Sequence, residues 1–473
     1  MRTRTFKVSA LSLLAAVSLV AASCGGDDDD EAASTEPAAT SGQTAATTAD
    51  DTSATSEPTG TAGGTDTTTE DTTAVSEPTE TSPPTAPPRG DADLVIWTDD
   101  TRKPVIEEIA TTFADENGIT VAVQELEFGQ IREQLSLAAP GGDGPDIVIG
   151  AHDWLGELVS NGVLEPLDLS ALAGNFQDVA IDAFTYDGQT YGLPYAVENI
   201  ALVRNTELVP NVPASFEEMI TIASDFKAQH AGDPTYQGLP LQVGPEGDGY
   251  HLQPILSAFG GYIFAQNPDG TFNPQDLGID SPGGLEAATF LSTSAASGLL
   301  SADTSYDVMI ESFGSGKAPF AITGPWAISQ EDNGFEATGV PYAVSPIPAR
   351  TGGPVPQVFV GVQGFMISSF SEQKDLAKSF VLDFMSQEQT QLALFEAGGR
   401  PPALTSAFEQ VKTDPDVAGF GESGAAGIPQ PAIPQMSSVW TALGNAEVNV
   451  LRGADPTAEF TAAAEAVRAE IGG

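Results

Sequence analysis

The strongest constraint on this chain is an abrupt change of composition near residue 90. Over residues 25–90 it alternates Asp, Thr, Ser, Ala, Glu and Pro, opening on an Asp run at 27–30, with almost no large apolar side chain. Such a tract cannot bury enough apolar surface to offset the entropy of ordering itself. Carboxylates in a flexible run also lack the fixed cage that a hard cation needs, so the tract reads as a self-repelling spacer. The folded part is therefore the remaining stretch of about 380 residues, out of 473, which is natural for two domains.

Beyond the spacer, apolar periodicity sets in at once. LVIW at 94–97 is a compact strand pattern, and Val105, Ile106, Ile109, Ala110 and Phe113 fall on one helical face. Asn117-Gly118 stops that helix, and further strand patterns follow at 119–123 and 147–149. Strands separated by helical segments predict βαβ units, a parallel sheet and an α/β fold class. Later helical patterns are legible at 216–227, 284–294, 375–385 and 458–471, and no internal repeat is evident.

The segment before the spacer reads as an export signal. Arg2, Arg4 and Lys7 form a basic start, and residues 8–22 supply a short Ala/Leu/Val-rich run, too short for a comfortable membrane span. It ends at Ala21-Ala22-Ser23-Cys24, which is similar to a bacterial lipobox and carries the only cysteine of the chain. A lone cysteine forms no internal disulfide; here it is the expected lipidation site, with an ordinary signal peptide cut near Ala22 as the alternative. Residues 1–23 are thus expected to be a lipoprotein signal peptide and residues 24–91 a disordered acidic tether. The expected location is extracytoplasmic, anchored to the cell membrane by an N-terminal lipid.

Charge and motif content exclude several classes. Seventeen Lys and Arg face 66 Asp and Glu, a formal net charge of -49, and a chain so acidic repels phosphate backbones, so no nucleic-acid partner is expected. The only histidines, His152, His230 and His251, have no ligand spacing with cysteine or carboxylate, so no metal is predicted. Gly314-Ser315-Gly316-Lys317 is followed by Ala318 rather than Ser or Thr and lacks the glycine spacing of a phosphate loop. A Gly-x-Ser-x-Gly elbow and a Cys-His arrangement are both missing, and neither catalytic residues nor a cofactor are expected.

Six segments read together are more specific. They are LVIW (94–97), GDGPDIVIGAHDWLGEL (142–158), YGLPYAVENIALVRN (191–205), GKAPFAITGPWAIS (316–329), FVGVQGFMIS (359–368) and IPQMSSVWTALGNA (433–446). In order and spacing the chain resembles the maltose/maltodextrin-binding proteins of bacterial ABC importers, from residue 94 to the C-terminus. The resemblance implies two discontinuous α/β lobes joined by hinge segments, as in periplasmic binding proteins. The N-lobe would comprise 92–196 and 347–400, the C-lobe 197–346 and 401–473. It also implies capture of a maltodextrin-like oligosaccharide between the lobes by a monomer, which delivers it to the membrane subunits of an ABC permease.

A sugar presents C–H patches and a ring of hydroxyls, so its site needs aromatic faces and fixed polar groups. A stacked aromatic is worth about 1 kcal/mol beyond its area, a charged hydrogen bond about 1.5–3 kcal/mol. Of the four tryptophans, Trp97 lies in an apolar strand and reads as core. Trp154 follows a strand end, Trp326 sits in a Gly-Pro-Trp turn, and Trp440 opens a late helix. The resemblance places Trp326, Trp440 and Tyr250 as stacking residues, with Asp153, Glu198 and Asp248 accepting hydroxyls. Arg102 stands where a Lys often contacts sugar, and Trp154 replaces an Arg. Asp153 also suits a helix N-cap, and Glu198 a hinge-side salt bridge. Gly150, Thr441 and Gly444 depart from positions where a Trp, a second aromatic and an Arg are common. These departures leave trehalose or another glucoside as alternative ligands. A secreted glycoside hydrolase using Asp153, Glu198 and Asp248 as paired carboxylates is the alternative of another class.

Overall fold

The computed structural model describes residues 86–268, 270–330 and 333–472. The expected signal peptide, Cys24 and the tether as far as residue 85 lie outside the described residues. Contacts with the folded part begin upstream of Asp93. The Ala86 amide donates to Gln134 Oε1 at 3.1 Å, and Arg89 pairs with the fully buried Asp146 at 2.6 Å. Asp146 also accepts from the Val95 amide and the Ser371 hydroxyl, so Arg89 supplies the one charge that a buried carboxylate needs.

Strand β1 (Leu94–Thr98) is buried along its whole length, with Trp97 fully enclosed and its indole N–H donating to Gln124. Helix α1 (Lys103–Asn117) buries Ile106, Ile109, Ala110 and Phe113, the face read from the sequence. It ends where Gly118 adopts φ 66°, a left-handed cap that glycine takes without steric cost. Strand β2 (Val121–Glu125), helix α2 (Phe128–Ala138) and strand β3 (Ile147–Ala151) follow. A short 3₁₀ turn (His152–Trp154) leads into α3 (Leu155–Ser160). The strands β2, β1 and β3 are parallel neighbours, Leu94 opposite Val121 and Ile96 opposite Ile147. Strand β4 (Gly192–Glu198) completes this pass.

The chain then leaves the first sheet. Strand β5 (Ala201–Asn205) pairs antiparallel with β6 (Phe320–Thr323) and β7 (Tyr342–Ser345), while α4 (Gly249–Ala258) packs nearby. It returns in β8 (Phe359–Ser368), antiparallel to both β3 and β4, and continues to α5 (Glu388–Gly398). A last passage runs through β9 (Ile428–Pro429), parallel to the start of β8, into α6 (Met436–Leu451) and α7 (Pro456–Ile471). The helices expected near 216–227 and 284–294 are Phe216–Gln229 and Pro282–Ala296. The one expected over 375–385 starts as Lys374–Lys378 and widens into a π-helix, Ser379–Phe384. No helix among the described residues is long and apolar enough to cross a membrane.

Separate hydrophobic cores result. One is built from β1–β4, the body of β8 and their helices, and it retains Ala403, Leu404 and Ala407. A second takes Ile200, Leu202, Ile347, Val358, Phe359, Val439 and Leu443, with a satellite around Val203, Phe313 and Phe335. Within β8, Phe359 therefore belongs to the second core and Val362 to the first: one strand passes between lobes. The smaller second sheet is antiparallel, whereas the first is mixed: β2, β1 and β3 are parallel as the βαβ pattern predicts, but β8 joins β3 and β4 antiparallel because the chain returns to this sheet from the other core.

Candidate functional site

The ends of β3 and β4 and the starts of β8, α4 and α6 meet at the seam between the two cores. Asp153 sits in the 3₁₀ turn after β3, 4 % exposed, and accepts from the Trp440 indole N–H of α6 at 3.3 Å. Neither the turn nor α3 has a side-chain cap bond, so Asp153 is not the N-cap that its position suggested. Its second oxygen is buried without a hydrogen-bond partner among the described residues. Burial pushes the Asp153 carboxyl pKa up to about 6.

Three half-buried aromatics surround this point. Tyr250 lies 6.4 Å from Trp326 and 6.1 Å from Phe359, and Phe359 meets the edge of Trp440 at 6.1 Å. The Tyr250 hydroxyl is buried with no partner among the described residues, and burial pushes its pKa far up, helped by the charges of Glu198, Asp248 and Asp153. Tyr250, Trp326, Trp440, Asp153 and Glu198, scattered over the sequence, thus share one neighbourhood.

The charged groups of Arg102, Asp248 and Glu198 are engaged by other protein groups. Arg102, 4 % exposed, pairs with Asp99, donates its Nε–H to the Tyr195 hydroxyl oxygen at 2.6 Å, and lies over the Phe128 ring. Asp248 caps α4, accepting from the His251 amide at 3.0 Å and from Gln242 and the His251 ring. Glu198 has both oxygens engaged: Gln363 donates to one at 2.7 Å and Arg400 pairs with the other at 2.8 Å. The Arg400 guanidinium also reaches the Thr101 hydroxyl and lies 5.5 Å from the Trp326 ring centre. Arg400, Gln363, Phe359 and Phe128 were not singled out from the sequence. Only a search for a cation able to neutralise Glu198 would have drawn attention to Arg400, and 202 residues separate the two.

Two departures from the family pattern have steric causes. A Cβ on Gly150 would fall 1.9 Å from the Trp154 ring, and Trp154 is 5 % exposed, seated against Phe128. The indole of Trp154 thus occupies the space above position 150, so a Trp at 150 and a Trp at 154 exclude each other. Gly444 is required by backbone approach: its Cβ would lie 2.3 Å from the Glu246 carbonyl oxygen. Facing it, Gly247 at φ 77° lies directly on α6, and Glu447 accepts the Asp248 amide at 2.7 Å. Gly150→Ala is expected to destabilise the protein by about 1–3 kcal/mol in urea unfolding, through overpacking against Trp154. Gly150→Trp combined with Trp154→Arg should be more stable than Gly150→Trp alone; equal stability would mean that the two positions do not compete.

Two cores linked by several crossings, with aromatics and an acceptor gathered at their seam, define a two-lobe solute-binding protein. Residues 108–419 match the family of bacterial extracellular solute-binding proteins, and the chain belongs to that family. It is similar to a galactooligosaccharide-binding protein of Bacillus subtilis, 28 % identical, the alignment covering 80 % of this chain and 90 % of that one. A maltooligosaccharide ABC transporter solute-binding lipoprotein of Streptococcus pneumoniae is 25 % identical, with 74 % and 81 % covered. The solved maltotriose binding protein of Thermus thermophilus, bound with maltotriose, superposes with a TM-score of 0.72 at 29 % identity, over 80 % of this chain and all of that one.

Proposed function

We propose that the chain captures a maltodextrin-class oligosaccharide outside the cell and delivers it to the membrane subunits of an ABC importer. The observation that carries this reading is the seam between the lobes. Tyr250, Trp326 and Trp440 gather there with two unpartnered buried groups, Asp153 Oδ1 and the Tyr250 hydroxyl. A buried polar atom without a partner costs about 1–3 kcal/mol, and a sugar hydroxyl relieves that cost while its C–H face covers the rings. Bound glycan touching both lobes favours the closed form, since only contacts made there shift the equilibrium. A surface depression of about 440 Å³ beside Ser386, Leu404 and Thr405 has no aromatic lining and offers a sugar no stacking face.

The hydrolase alternative fares worse. Glu198 is held on both oxygens and Asp248 caps a helix, so neither is free to act as the acid or base of a carboxylate pair. Lipid attachment at Cys24, with the acidic tract after it as spacer and a monomeric folded part, completes the proposal; it rests on the lipobox and on the lipoprotein name of the Streptococcus relative.

Isothermal titration with maltose, maltotriose, trehalose and a galactooligosaccharide tests the reading. Micromolar binding of at least one, about 8 kcal/mol, is expected without release of reducing ends. Failure of all four, or sustained cleavage, would sink it. Asp153 accepts hydroxyls best when ionised, and protonation competes with that role. Affinity should therefore be highest above pH 6 and fall as pH drops through the Asp153 pKa of about 6. Asp153→Asn should bind more weakly and flatten that profile.

A further inference from the structure

His152 is 2 % exposed and immediately precedes Asp153. The Val362 amide of β8 donates to its Nδ1 at 3.1 Å, and its Nε2 lies 3.0 Å from the Gln430 carbonyl oxygen. A carbonyl only accepts, so Nε2 carries the ring proton and Nδ1 is the bare nitrogen. These partners lie on two different passages between the cores. Val362 is three residues beyond Phe359, where β8 changes lobe, and Gln430 follows β9 on the way to Trp440. A second contact holds the same passage: a Cβ on Gly156 would meet Ile433 and Pro434 backbone atoms at 2.5 Å.

We propose that His152 is the positioning residue of the seam: its ring ties two crossing segments together and so fixes Trp440 against Asp153. The chain from Gln430 to Trp440 carries the indole, and Asp153 moves with His152 as its neighbour. Each ring nitrogen satisfies one buried backbone group, a combination that no apolar side chain reproduces. Burial holds the imidazole pKa down at about 4, which keeps the single-proton ring in place at neutral pH. That the pair so fixed holds sugar rests on the reading above; the tie itself does not.

The first test is the nitrogen NMR spectrum of the His152 ring at pH 7 in the wild-type protein. A neutral ring protonated on Nε2 is expected, and an Nδ1-protonated or charged ring overturns the proposal. The second compares His152→Leu with His152→Gln, which retains a donor and an acceptor. In His152→Leu, amide exchange at Val362 and over residues 430–440 should accelerate roughly tenfold or more relative to β1 and β2, and the Trp440 indole N–H resonance should shift. His152→Gln should restore much of both. Uniform acceleration, or an unmoved indole signal, assigns His152 to general packing and overturns the proposal. Maltotriose titration of the same proteins separates the two readings. No binding by wild type counts against the sugar, whereas equal binding by wild type and His152→Leu counts against the positioning role.

Discussion

Arg400→Met is expected to destabilise the folded chain by about 3–5 kcal/mol, read as a lowered urea midpoint. The Arg400–Glu198 pair is 95 % buried on both sides, and removing the cation leaves the carboxylate in a low-dielectric site with only Gln363 as a donor. The guanidinium also lies over Trp326, so its loss removes a cation–π contact of about 0.5–2 kcal/mol from a site aromatic. Sugar affinity should fall with stability, and Arg400→Lys should recover part of both because it restores charge but not the fork geometry. A midpoint equal to wild type for Arg400→Met would show that Glu198 finds another partner.

The second large effect is on binding alone. Trp440→Ala should weaken sugar affinity by roughly 10- to 100-fold, about 1.4–2.8 kcal/mol, through loss of a stacking face and of the indole bond to Asp153. Trp440 is only partly buried and sits on the first turns of α6, so the unfolding midpoint should move far less than in Arg400→Met. Titration calorimetry beside urea unfolding separates the two quantities. Unchanged affinity would remove Trp440 from the site, and a collapse of stability would reassign it to the core.

The identity of the ligand turns on how the seam differs from its relatives. Gly150 and Trp154 exchange the place of one indole, and the buried Trp154 lies in the first core rather than at the seam. Gly444 gives up a side chain so that residues 246–248 can lie on α6. Both changes remove polar or aromatic reach beyond the Tyr250, Trp326 and Trp440 cluster.

Much of the architecture was legible because it is written locally. The apolar runs of β1 and β3, the period of α1 with its Gly118 stop, and the turn-borne Trp326 depend on residues a few positions apart. The site was legible in part. The resemblance pointed to Asp153, Tyr250, Trp326 and Trp440, which the fold brings to one seam, and a salt bridge at Glu198 was foreseen, but its partner Arg400 and the engagement of Arg102 and Asp248 were not, because those partners are fixed by folding. The N-cap role suggested for Asp153 failed for the same reason: its side chain turns to an indole 287 residues away instead of to the local backbone.

The sequence by itself determined that the folded part is α/β and which family it resembles. Those properties follow from composition, periodicity and motif order, all of which are one-dimensional. Tertiary structure decided which charges neutralise one another, why Gly150 and Gly444 must be glycine, and that His152 bridges Val362 and Gln430. Most depend on groups more than a hundred residues apart, brought together by strands that cross between two cores, and Gly150 on a ring that folding seats in the space above it. Apolar periodicity therefore fixes what can fold, and the crossings fix what the folded part can hold.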